Sequence, residues 1–145
     1  MDLVHLTIKK FHEGLIGGEF RALDIAQQFF KYITERDGEI GAYLSLHQDE
    51  AMRQAEAADI SIARDEGVGL LSGVPLAFKD NMLIAGTRTT AGSKILENYT
   101  ATYDATVIKK LRAAGAVFLG KTNQDEFAMG SSTENSAFQK TKNPA

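Results

Sequence analysis

The stretch Gly73-Val-Pro-Leu-Ala-Phe-Lys-Asp-Asn81 carries a lysine to the far end of an apolar run, after which Asp-Asn turns the chain away. A strand of this kind aims a flexible ammonium at the rim of a sheet, where α/β proteins place their chemistry. Lys79 there has three readings: a snorkelling surface charge, an anion clamp, or a base whose charged form burial disfavours. Position alone leaves all three open.

Other residues offer competing chemistry. Gly115-Ala-Val-Phe-Leu-Gly-Lys-Thr122 formally matches G-x-x-x-x-G-K-[ST], the phosphate-binding loop. That motif needs its middle residues in a loop whose N–H groups wrap a phosphate. Here they are Ala-Val-Phe-Leu, a strand, and residues in a strand ladder cannot also cradle phosphate. Ser131 and Ser132 follow a glycine but lack the G-x-S-x-G elbow and a nearby histidine base, so they read as loop or pocket hydroxyls and not as nucleophiles. Asp125 and Glu126 fall in the first turn of a short helix, where carboxylates complement the dipole. Thr87 to Ser93 is rich in hydroxyls and reads as a polar loop.

The elements that position these groups follow from periodicity. Apolar residues recur at helical spacing from Leu3 to Ile16, and Gly14 and Gly17-Gly18 stop that helix. A second helix runs from about Arg21 to Arg36, with Asp37-Gly38 as a left-handed end. Ile40–Leu46 reads as a short strand, and residues 48–64 as a third, more exposed helix. After Glu66-Gly-Val-Gly69 come short strands in alternation with helices: Val74–Phe78, a second short strand at Met82–Ile84, a helix over residues 105–114 capped by Asp104, and a buried strand at Ala116–Leu119. Gly120–Asn123 is expected to turn the chain into a short helix, and Met129–Ser136 is a polar loop. Strand, helix and strand in this order make an α/β unit with a crossover between parallel strands. Residues 1–66 thus form a helical segment, and residues 67–145 the start of an α/β core.

Composition bounds the function. The 145 residues are 43% hydrophobic and 24% charged, an ordinary globular balance. A formal net charge of -3 gives no electrostatic case for nucleic acid or a membrane surface as a direct partner. No cysteine is present, which excludes disulfides, thiolate metal sites and thiol nucleophiles, and His5, His12 and His47 lack metal-ligand spacing. No apolar run approaches membrane-spanning length and the start lacks a signal-peptide layout, so a cytoplasmic protein is expected.

Four blocks in consecutive order resemble the amidase signature family: Gly73–Asn81, Thr89-Thr-Ala-Gly-Ser93, Tyr103-Asp-Ala-Thr-Val107 and Gly120–Ser136. The last, above all Asp125-Glu-Phe-Ala-Met-Gly-Ser-Ser-Thr-Glu-Asn-Ser136, is most similar to the A subunits of glutamyl-tRNA(Gln)/aspartyl-tRNA(Asn) amidotransferases. The resemblance implies a mixed-sheet αβα core, incomplete here, and a Ser–cis-Ser–Lys mechanism in which Lys79 is the proton-relay lysine. The nucleophilic serine would attack the side-chain amide of glutamine, release ammonia and leave an acyl-enzyme that water hydrolyses. Met129, Gly130, Ser131 and Ser132 match the family's pocket loop and are implied to bind substrate. No cofactor or metal is implied for this chain; ATP and Mg²⁺ belong to a partner protein, and the implied partners are B and C subunits, with tRNA met through the complex.

The family's Gly/Ser-rich segment with its two serines is expected soon after Asn143-Pro144, and the sequence stops at Ala145. Lys79 is then the one member of the triad present, and the polypeptide by itself is expected to lack glutaminase activity. Two alternatives are a general small-amide amidase of the same family and a short non-catalytic interaction module.

Overall fold

The computed structural model describes residues 3–144, which form four α-helices, three strands and two short 3₁₀ turns. In chain order these are α1 (Ile8–Ile16), α2 (Ala22–Ile40), β1 (Tyr43–Leu46), α3 (Gln48–Ala63), β2 (Pro75–Lys79), α4 (Thr106–Ala113) and β3 (Val117–Thr122), with 3₁₀ turns at Lys94–Leu96 and Glu126–Ala128. The sheet order is β1-β3-β2. β1 runs antiparallel to β3, with Tyr43 opposite Thr122 and Leu46 opposite Gly120. β2 runs parallel to β3: the Val117 N–H donates to Val74 O near one end and the Asp80 N–H to Thr122 O just past the other. The sheet is therefore mixed, and α4 lies in the crossover between its parallel strands, as the element order requires.

The chain divides into two compact units. The first gathers the segments up to Tyr32, His47–Leu76 and Lys110–Leu119. Thr7 starts α1 by accepting from the Lys10 N–H; Gly14, expected to stop the helix, lies inside it, and its missing Cβ makes room for the Phe20 ring, which would stand 2.4 Å from one. The start of α2 is capped from a distance: the Asp59 carboxylate accepts from the N–H groups of Ala22 and Leu23 at 2.7 and 3.2 Å. Helix α3 is less exposed than its polar composition suggests. It buries a stripe of Ala51, Ala55 and Ala58, small side chains that permit close approach, and Gly73 fits between Leu15, Ala22 and Ala58 for the same reason.

The second unit gathers Ile33–Leu46, Ala77–Lys109 and the chain from Gly120 onward. Three expectations fail there. Helix α2 runs through Asp37-Gly38 to Ile40 and ends at Gly41, whose φ is +68°. Gly41 in the left-handed region closes the helix, its N–H donating to Asp37 O, and the Asp37 carboxylate fastens the chain that follows by accepting from the N–H groups of Ala42 and Tyr43. Met82–Ile84 is not a strand, since the Met82 N–H closes a turn onto Lys79 O. Strand β3 continues through Gly120, Lys121 and Thr122 and does not turn at Gly120, because β1 pairs with that part of it. Gly120 is required by this pairing, as a Cβ would stand 2.3 Å from Ser45 O.

Candidate active site

β2 ends at Lys79, and the alternation of a strand sends neighbouring side chains to opposite faces. Phe78 and Asp80 point inward, at 3% and 1% exposure, and Lys79 between them is exposed. The lysine thus leaves the sheet at the rim, where sequence reasoning placed it.

Beside it lies a cluster that the sequence did not disclose. The Lys121 ammonium is fully buried and sits 3.0 Å from Asp80 Oδ1. It also donates to Thr89 Oγ1 at 3.1 Å. The other Asp80 oxygen accepts from the Thr90 N–H at 2.8 Å and from the Thr90 hydroxyl. The Asp80 main chain is held as well, its N–H donating to Thr122 O and its carbonyl accepting from the Ala91 N–H. Burial pushes Lys121 below the usual lysine range, while the Asp80 charge and its hydrogen bond pull it back. This pair ends the phosphate-loop reading on geometry: Gly120, Lys121 and Thr122 are strand residues, and the lysine is committed to a carboxylate.

The hydroxyl-rich stretch read as a polar loop, Thr87 to Ser93, is buried from Thr89 onward. Its hydroxyls are the partners of the ion pair. Gly92 lies so close to the following segment that a Cβ would meet Gln124 O at 2.6 Å, and its φ is +68°. The Phe127 N–H donates to Ala91 O and the Ala137 N–H to Gly92 O. Ser93, also buried, donates through its hydroxyl to Glu126.

Those bonds lead to Met129–Ser132. Met129, Gly130, Ser131 and Ser132 are all exposed, Met129 at 74%. Their loop is shaped by Asp125. The reading of Asp125 as a helix-dipole residue is corrected: it makes no side-chain cap bond to the 3₁₀ turn. Its carboxylate accepts instead from the N–H groups of Ser132, Thr133 and Asn135 at 3.0, 3.0 and 2.9 Å. Those N–H groups, Asn135 foremost, hold the Asp125 carboxyl below the usual carboxylate range. Gly130 packs directly on that carboxylate, where a Cβ would fall 2.4 Å from Cγ. The structure therefore brings Lys79 and the 129–132 loop into one bonded framework, through Asp80, residues 89–93 and residues 124–127. Among the described residues, no group of three or more histidines or carboxylates could hold a metal ion, and no helix is long and apolar enough to cross a membrane.

A family model described as Amidase matches residues 24–145. The chain belongs to the amidase family. The A subunit of glutamyl-tRNA(Gln) amidotransferase in Carboxydothermus hydrogenoformans is 51% identical over 144 residues, which are 99% of this chain and 30% of that protein. Among solved structures, the A subunit of glutamyl-tRNA(Gln) amidotransferase from Thermotoga maritima matches with a TM-score of 0.73 at 37% identity, over 99% of this chain and 28% of that one. A chain from a vestigial protein complex, solved for the evolutionary origins of an s-triazine catabolic enzyme, matches with a TM-score of 0.90 at 37% identity, over 96% of this chain and 31% of that one. The chain spans about 30% of the length of the curated relatives it matches.

Proposed function

We propose that this chain is the lysine-bearing part of an amidotransferase A subunit that hydrolyses glutamine and supplies ammonia for amidating Glu-tRNA(Gln) or Asp-tRNA(Asn). The observation that carries the reading is Lys79, exposed at the end of β2 and rooted beside the fully bonded Asp80. Identity of 51% to one such A subunit supports the choice of this branch of the family.

In this reading Lys79 exchanges a proton with a serine, which in turn takes the proton of the nucleophilic serine as it attacks the glutamine amide. The proton returns to the departing nitrogen, and ammonia leaves behind an acyl-enzyme for water to hydrolyse. Both serines belong to the segment that follows this one in the family. Residues 129–132 contribute to the wall of the substrate pocket. ATP and Mg²⁺ are used by the partner B subunit, a C subunit completes the assembly, and tRNA is met through that complex in the cytoplasm.

The test uses a full-length amidotransferase A subunit whose matching part is exchanged for this chain, assembled with its partner subunits. Lys79→Ala in that chimera lowers glutamine hydrolysis by roughly 10²–10⁴-fold, the usual contribution of a positioned proton-transfer group. Turnover within a few-fold of the parent chimera overturns the role of Lys79. Glutamine-dependent conversion of Glu-tRNA separates the amidotransferase from a general amidase, which would hydrolyse small amides and leave the tRNA unchanged.

A further inference from the structure

Val74, Pro75, Leu76, Ala77 and Phe78 are an unbroken apolar run, so their pattern reads the same after a slip of one position. Such a slip exchanges the two faces of a strand and would turn Lys79 inward. The strand that carries Lys79 is also short and lies at one side of the three-stranded sheet. Hydrophobic pattern therefore does not set its register. A buried ion pair does: Asp80 meets Lys121 at 3.0 Å only when Phe78 and Asp80 face inward together, and Lys79 then faces out.

We infer that the Asp80–Lys121 pair, braced by Thr90, is the positioning device for Lys79, fixing the register of β2 and the direction in which the lysine leaves the sheet. Burying two charges is a poor way to gain stability, since apolar residues of similar size often do as well or better. What a buried pair supplies is a single permitted alignment. Slippage here separates the charges and leaves each without its partner. The Thr90 N–H and hydroxyl, the Thr122 carbonyl and the Ala91 N–H hold residue 80 from four further directions, so the root of the Lys79 side chain is fixed although its end is free to reach.

The inference rests on the proposed role of Lys79 and is tested in the same full-length chimera, at a temperature well below unfolding. The double variant Asp80→Leu/Lys121→Met keeps an apolar filling and is expected to unfold no earlier than the parent. Its kcat for glutamine falls at least about tenfold with KM within about twofold, the pattern of a displaced catalytic group. Thr90→Val, which removes one bond to Asp80 and leaves both charges paired, lowers kcat by a smaller factor in the same manner. Lys121→Arg, which keeps the charge pair, retains most of the parent kcat. If the double variant does not fold, Thr90→Val and Lys121→Arg decide by the same criteria. Parent-like kcat in the double variant or in Thr90→Val, alongside an inactive Lys79→Ala, overturns the positioning role alone. An active Lys79→Ala overturns the role of Lys79, and this inference with it.

Discussion

Gln124 is 2% exposed, and neither its side-chain oxygen nor its nitrogen has a hydrogen-bond partner among the described residues. A buried amide in that state loses its hydration without compensation. Gln124→Met keeps the length and removes the polar atoms, and should stabilise the protein by about 1–2 kcal/mol. The check is a denaturant midpoint that rises at an unchanged slope. Gly120→Ala acts in the opposite direction. The added methyl meets backbone, Ser45 O at 2.3 Å, and backbone cannot rotate away. A loss of about 1–3 kcal/mol is expected from such overpacking, read in the same titration. At this scale the sequence was legible for placement: the apolar run before Lys79 set it at the end of a strand. Lys121 was not legible in this way. Its strand happened to spell a phosphate-loop motif, and its partner Asp80 lies far back in the chain with nothing local to join them. Opposite charges at the inner ends of two apolar runs were the available signal, but pairing them requires knowing that the strands are neighbours.

Elements end where their caps are, and caps can sit one turn beyond the obvious residue. Asp37-Gly38 is a familiar stop, yet α2 continues to Ile40 and ends at Gly41, while Asp37 reaches forward to hold Ala42 and Tyr43. Asp37→Ala should cost about 1–2 kcal/mol through the two lost bonds just after the helix, seen as a lower unfolding temperature. The loop after the second 3₁₀ turn depends on Asp125 in a similar way, and its dependence can be followed by pH. The folded-state carboxyl is held below its unfolded value, so its contribution is fully present above the unfolded value near pH 4 and fades as pH falls through the folded one. The gap in unfolding temperature between the parent and Asp125→Asn should be wide at pH 6 and narrow steadily below about pH 4. A gap that stays constant down to pH 2 contradicts the assignment. Periodicity found each of the four helices, but the carboxylates organising their ends and loops act across sequence gaps that periodicity does not span.

At the scale of the molecule, the parallel pair β2 and β3 with α4 in its crossover was readable from element order, because strand, helix and strand admit few arrangements. The partnership of β1 with the second half of β3 was not, since nothing near Tyr43–Leu46 indicates which distant strand it meets. The relatives are about three times as long as this chain, and the proposed chemistry needs two serines supplied by the remainder. These 145 residues alone should therefore release no ammonia from glutamine above a buffer control, measured by a coupled ammonia assay. Release that disappears in Lys79→Ala would show that the chain is catalytically sufficient.

The place of β3 between its two neighbours has a kinetic consequence. β1 is synthesised early, but the residues it pairs with, Gly120 to Thr122, come much later in the chain. At roughly 5–20 residues per second, several seconds of translation separate the two strands. Contacts this distant in sequence make for slow folding, because a long loop must close before any bond forms. During that interval the four-residue β1 is an unpaired edge on a growing polypeptide. The late arrival of one strand, more than the strength of any single contact, sets when the sheet around Lys79 can assemble.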